Sequence, residues 1–143
     1  MVGWISVKTP WDFEDREQPF KSTALAWESG TGASSLFYGL EQSLKLLNQT
    51  GVDAISRHLE ALTDHLCDSI GGKNYEIVSS RAREEKSQIV CIRHRGGLTS
   101  NGVAEHLEKE RIVVSPRGDR VRIAPHFYNV RGEIDRLVDR LPN

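Results

Sequence analysis

Sulfur is scarce in this chain: 143 residues include two cysteines, Cys67 and Cys91, and a single methionine. Two thiols without CxxC spacing are too few to staple a domain, so free thiols in a reducing, cytoplasmic setting are the expectation. No apolar run is long enough to cross a bilayer, and Met1-Val2-Gly3-Trp4 has no basic segment leading into an apolar stretch, so neither a membrane span nor a secretory signal is expected. Charge of one sign is also missing. Nineteen basic side chains meet twenty acidic ones for a net charge of -1, whereas a nucleic-acid-binding domain is normally strongly basic. There is no internal repeat, no low-complexity tract, no Walker A lysine, no nucleophile elbow and no Ser-His-Asp order. His58, His65, His94 and His106 show no ligand spacing with one another or with the cysteines, so no metal site is expected.

What remains is a chain long enough for one domain, or for one domain and part of another. Its first thirty-odd residues scatter Trp4, Trp11, Phe13, Phe20 and Trp27 among prolines and charges with neither a helical nor a strand period. Such a segment needs a surface to bury against, and the expectation is that it belongs to a larger body absent from the chain. From Ser34 to Asn48, Phe37, Leu40, Leu44 and Leu47 follow helical spacing. A second helix is predicted over 52–70, with Val52, Ile55, Leu59, Leu62, Leu66 and Ile70 as its buried stripe and Gly71-Gly72 as its stop. Strands are predicted over 75–79, 88–93, 112–115 and 121–124, the last two joined by the turn Pro116-Arg117-Gly118-Asp119. Thr99 or Ser100 caps a helix through Glu110, and Gly132-Glu133 opens a final helix with Ile134, Leu137, Val138 and Leu141 on one face. The order strand, strand, helix, strand, strand, helix predicts an α+β domain, a largely antiparallel sheet with helices on one face.

Two stretches carry candidate chemistry. Glu28-Ser29-Gly30-Thr31-Gly32-Ala33-Ser34-Ser35 precedes a helix, where glycine frees the backbone and unpaired N–H groups face outward, the chemistry of a phosphate seat. The same residues also read as a flexible turn capped by Ser34. Arg120 and Arg122 alternate with Val121 and Ile123, so their guanidinium groups share a strand face and offer a fork for a carboxylate. Solvated arginines protecting an exposed edge read equally well. His126, after Pro125 in the turn, can meet a ligand or cap the last helix, and the structural role is the favoured reading.

Glu28-Ser29-Gly30-Thr31, a helix ending Leu-Leu-x-x-x-Gly, and Val121-Arg122-Ile123-Ala124-Pro125-His126-Phe127-Tyr128-Asn129, in that order, resemble the C-terminal part of class V aminotransferases. Val2-Gly3-Trp4 and Glu133-Ile134-Asp135-Arg136-Leu137 are similar too. These are pyridoxal-phosphate (PLP) enzymes of fold type I, a superfamily that includes cysteine desulfurases and isopenicillin-N-epimerase-like proteins. The resemblance implies that residues 1–49 are a remnant of the large cofactor domain with its connecting helix, and that residues 50–143 are the small C-terminal α+β domain. It implies pyridoxal 5'-phosphate as cofactor in the complete enzyme, an amino acid as substrate and a homodimer as assembly. It places the cofactor-phosphate contact on Gly30 and Thr31 and the substrate's α-carboxylate on Arg122, with Arg120 at the rim of the strand.

The chain departs from the pattern in two ways. The family's Schiff-base lysine follows a short polar-His context, and Lys8, Lys21, Lys45, Lys73, Lys86 and Lys109 lack one. That lysine and the aspartate for the pyridine nitrogen are therefore expected upstream, no catalytic residue is assigned here, and the isolated chain is expected to be inactive. No cysteine lies between Arg111 and Arg122, where desulfurases carry their nucleophile, which argues against a desulfurase. The alternative is a non-enzymatic α+β module that binds an anion or a partner protein.

Overall fold

Gly51 separates the two longest helices. It takes φ +86°, a conformation that favours glycine, so α1 (Ser34–Thr50) ends there and α2 (Val52–Ile70) starts one residue later. The structure, a computed structural model, describes residues 1–143. It divides into two compact units, residues 1–46 and 47–143, with the boundary inside α1.

In the first unit, two short 3₁₀ turns, Trp4–Ser6 and Ala24–Trp27, are joined by irregular chain and an isolated bridge between Val7 and Phe20. Its aromatic residues stay exposed: Trp11, Phe13 and Trp27 each keep 70% or more of their surface. The predicted apolar stripe of α1 is present as a stripe but is not buried, since Phe37, Leu40 and Leu44 all face solvent. A helical period marks a face, and burial requires something to lie against it.

The second unit holds the core. After α2 come β1 (Tyr75–Ile77), β2 (Val90–His94), α3 (Ser100–Lys109), β3 (Ser115–Arg117), β4 (Arg120–Ile123) and α4 (Arg131–Arg140). The four strands pair antiparallel throughout in the order β1-β2-β4-β3. Alternation sends Val90, Ile92, Val121 and Ile123 to one side, where they meet Leu62, Leu66 and Ile70 of α2, Val103 and Leu107 of α3, and Ile134, Leu137 and Val138 of α4. The helices cover this face, giving the predicted α+β arrangement. No helix is long and apolar enough to cross a membrane.

Several boundaries differ from the sequence expectation. The first half of α2 is unburied: Val52 is exposed, Ile55 and Leu59 are half-buried, and full burial starts at Leu62. Thr99 is the cap of α3, accepting from the Gly102 N–H at 3.1 Å. The predicted strand 112–115 is displaced to Ser115–Arg117. Helix α3 closes with N–H groups of Arg111 and Ile112 bonded to the carbonyls of Glu108 and Leu107, and Arg111 turns through φ +61° to do so. This is a Schellman closure with arginine where glycine is usual. It leaves Ile112–Val114 as connection, and pairing starts once the chain faces β4. The loop between β3 and β4 is then only Gly118-Asp119, with Gly118 at φ +60° as a tight two-residue hairpin requires.

Polar contacts fix the covering helices. His58 Nε2 lies 2.9 Å from the Asn129 carbonyl and His65 Nε2 lies 2.5 Å from Asp135 Oδ1, so α2 is tied to α4 and to the turn before it. The loop 78–89 is held to α2 by Arg81, whose Nη2 donates to Asp64 Oδ1 at 2.6 Å, and by Lys86, which pairs with both Glu60 and Asp64. Burial alone raises the Asp64 carboxyl, but the hydrogen bonds from Arg81 and Lys86 outweigh it and hold the group below its ordinary value.

Candidate functional site

The face of the sheet without helices carries the charged residues. Register places Glu76 (β1) opposite Arg93 (β2), Cys91 (β2) opposite Arg122 (β4), Ser115 (β3) opposite Arg122, and Arg117 (β3) opposite Arg120 (β4). Directly paired residues project to the same side, so all of these share one surface. Neutralisation across it is uneven. Arg93 donates to Glu76 and to Asp119, each at 2.5 Å, and Arg120 Nε donates to Asp119 Oδ1 at 3.1 Å. Hydrogen bonds from Arg93 and then Arg120 hold the Asp119 carboxyl below its ordinary value.

Arg122 has no acidic partner. Its one side-chain hydrogen bond is a long one of 3.4 Å from Nη2 to Ser115 Oγ. Its Nε is buried and makes no hydrogen bond. The two-arginine fork that the local sequence offers is therefore not assembled: Asp119 occupies Arg120 at the rim, and of the two only Arg122 lacks an acidic partner. A half-buried guanidinium with a buried N–H left unpaired is costly, and such groups in folded proteins call for an explanation. Nη1 and Nη2 remain at the outer end as a planar fork suited to a carboxylate.

Cys91 was missed as a neighbour of Arg122. The two are 31 positions apart, and only the β2–β4 register brings them side by side. Ser115 was likewise placed in a strand without a role. The hairpin end is fixed from α3, where the buried Ser100 Oγ donates to the Gly118 carbonyl at 2.6 Å. His126 keeps to the turn: its N–H donates to Asn129 Oδ1 at 2.8 Å and its ring stacks on Tyr128. Glu133, not His126, caps α4, accepting from the Val130 N–H and from Asn129 Nδ2, both at 3.0 Å.

Gly30 and Thr31 lie in the first unit, in the loop between the Ala24–Trp27 turn and α1. The loop is clasped from the N-terminal segment. Ser6 is fully buried; its Oγ accepts from the Gly3 N–H at 3.0 Å and donates to the Glu28 carbonyl at 3.3 Å. A side chain at Gly3 would overlap the Ser29 carbonyl, and one at Gly30 would come within 3.3 Å of Trp4 Nε1. Glycine is required at Gly3 by this close approach. Thr31 is exposed and its hydroxyl makes no hydrogen bond within the chain. Ala33, without a capping side chain, precedes α1, so Ser34 is the first helical residue rather than the cap.

A family model described as aminotransferase class-V matches residues 9–135, most of the chain. This chain belongs to the class V aminotransferase family. A curated relative, the uncharacterized aminotransferase YcbU of Bacillus subtilis (strain 168), is 25% identical over 122 residues, covering 85% of this chain and 32% of its own length. Among solved structures, the apo cysteine desulfurase of Thermococcus onnurineus NA1 superposes with a TM-score of 0.74 at 18% identity, over 97% of this chain and 37% of the desulfurase. A mutant of the lyase C-DES with glycine covalently linked to its PLP cofactor gives 0.66 at 21% identity, over 97% and 36%. The fold is thus that of one part of these enzymes, and this class V chain spans about a third of the length of the relatives it matches.

Proposed function

We propose that this chain is the C-terminal segment of a PLP-dependent, aminotransferase-like enzyme acting on an amino acid. The observation that carries the reading is Arg122, an arginine without an acidic partner on the uncovered sheet face, at the position where the family pattern puts the substrate's carboxylate. In this reading residues 1–49 are a remnant of the large cofactor domain and residues 50–143 are the small domain. The complete enzyme is a cytoplasmic homodimer. The residues of the Gly30–Thr31 loop fit a phosphate: an exposed hydroxyl without an internal partner and a backbone kept free of side chains beside Trp4.

When bound, pyridoxal phosphate supplies an electron sink for the bond broken at Cα. Arg122 supplies orientation. With Nε buried, the carboxylate meets the terminal Nη1 and Nη2 atoms, and each charge-assisted hydrogen bond is worth about 1.5–3 kcal/mol. Fixing the carboxylate fixes how Cα presents its substituents. Ser115 holds Nη2 from the side, and Asp119 keeps Arg93 and Arg120 from competing for the substrate.

None of the chain's lysines follows the family's polar-His context, and Lys45 and Lys86 are already paired with Glu41 and with Glu60 and Asp64. In this reading the cofactor-bearing lysine lies outside the 143 residues, and the chain by itself turns over no amino acid. In the complete enzyme, Arg122→Lys keeps the charge but loses the planar fork, and kcat/KM for amino acids falls at least about tenfold, or about 1.4 kcal/mol. An unchanged kcat/KM removes Arg122 from the role. Steady turnover by the isolated chain supplied with pyridoxal phosphate overturns the assignment of the lysine.

A further inference from the structure

Arg122 is not the only arginine of the uncovered face without a counter-ion. Of the four that project there, Arg93 and Arg120 are neutralised by Glu76 and Asp119. Arg117 makes one hydrogen bond, from Nη1 to the neighbouring Pro116 carbonyl at 2.8 Å, and pairs with no acid. Arg117 lies opposite Arg120, so Arg122 is its diagonal neighbour across the β3–β4 ladder. Diagonal neighbours on one face are about 7–8 Å apart, within reach of long side chains.

The backbone beneath Arg117 is fixed. The Gly118 turn is closed by the hydrogen bond from buried Ser100, and Asp119, next in the turn, is held by both neutralised arginines. Asp119 is the acid nearest in sequence to Arg117 and Arg120, and it bonds to Arg93 and Arg120 and leaves Arg117 free. Two like charges on one face, each without an acid, repel unless an anion bridges them. Random solvation of an edge strand would not require the sheet's two acids to be committed to the other two arginines.

We propose that Arg117 and Arg122 form a two-point site for a dicarboxylate, so that the substrate is an amino acid with a second acid group in its side chain. Arg122 holds the α-carboxylate and Arg117 the side-chain acid. This rests on the reading of Arg122 given above and adds the substrate class to it.

The test uses the 143-residue chain, ¹⁵N-labelled, titrated with sodium acetate and with sodium succinate at constant ionic strength. The arginine Nε–H resonances and the amides of β3 and β4 report binding, and unshifted core amides confirm the fold of each variant. Succinate is expected to bind at least about tenfold more tightly than acetate, a difference of about 1.4 kcal/mol. Arg117→Gln is expected to bring succinate down to the level of acetate, and Arg122→Gln to abolish the response to both. Equal binding of the two anions that still depends on Arg122, or succinate binding indifferent to Arg117→Gln, overturns the dicarboxylate proposal and leaves Arg122 in its role. Loss of any response that depends on Arg122 overturns both.

Discussion

Replacing Arg122 by methionine should make the isolated chain more stable while removing its capacity to hold a carboxylate. The methionine keeps most of the apolar stem between Cys91 and Ser115 and deletes the buried Nε that makes no hydrogen bond. An unsatisfied buried polar group costs about 1–3 kcal/mol. Against this stands the loss of the contact to Ser115, which at 3.4 Å is at the weak end of the range; an ordinary hydrogen bond contributes about 0.5–1.5 kcal/mol. The difference favours the variant by about 1 kcal/mol. Spread over a domain of this size, that is a rise in Tm of about 4–8 °C. Urea titration followed by circular dichroism, with the midpoint compared at constant slope, measures the same quantity. The matching change at Arg93 should go the other way, because Arg93→Met leaves Glu76 and Asp119 without their donor. A residue kept for binding at the expense of stability behaves like Arg122, and one kept for the fold behaves like Arg93. If Arg122→Met lowers the urea midpoint as Arg93→Met does, Arg122 is a structural residue and the functional argument loses its footing.

Further outcomes follow from single residues. Arg111→Gly should stabilise the chain by up to about 1–2 kcal/mol, since the left-handed turn at φ +61° is strained for a residue with a side chain; a lowered Tm would contradict this account of the α3 terminus. Burial pushes the Tyr75 hydroxyl up to about 12, and it donates to the Pro142 carbonyl at 2.8 Å. The folded state therefore holds the proton more tightly than the unfolded chain, whose tyrosines titrate near about 10. Stability is full below that value and falls as pH rises toward about 12; denaturation curves across this window should flatten in Tyr75→Phe, and an unchanged slope would refute it. Gly3→Ala forces the Ser29 carbonyl aside, at about 1–3 kcal/mol of local strain; limited proteolysis should then cut faster between Glu28 and Ala33, and an unchanged rate would show the clasp is not needed.

The helices of the second unit were legible because their signals are local. Glycines bracket α2 at both ends, Thr99 caps α3, and the apolar spacing of Ile134, Leu137 and Val138 marks the inner face of α4. The third strand was misplaced for an equally physical reason. Ile112-Val113-Val114 has the β-branched composition of a strand, yet a strand exists only where a partner backbone receives its hydrogen bonds. The two-residue Gly118-Asp119 loop sets that register from the far end. The same holds for α1, whose apolar stripe is plain in the sequence and remains uncovered in the fold.

Sequence alone settled the kind of molecule: an α+β chain of the class V aminotransferase pattern, with Arg122 inside its most diagnostic stretch. It assigned Arg122 by resemblance but could not say which arginines have an acid within reach, because that depends on which acids the fold brings to each guanidinium. Asp119 adjoins Arg120 in the chain, but its bond to Arg93 crosses from the β3–β4 turn to β2. Folding alone brings those strands together, and so the tertiary structure decided that Arg93 and Arg120 are paired with acids while Arg117 and Arg122 are not.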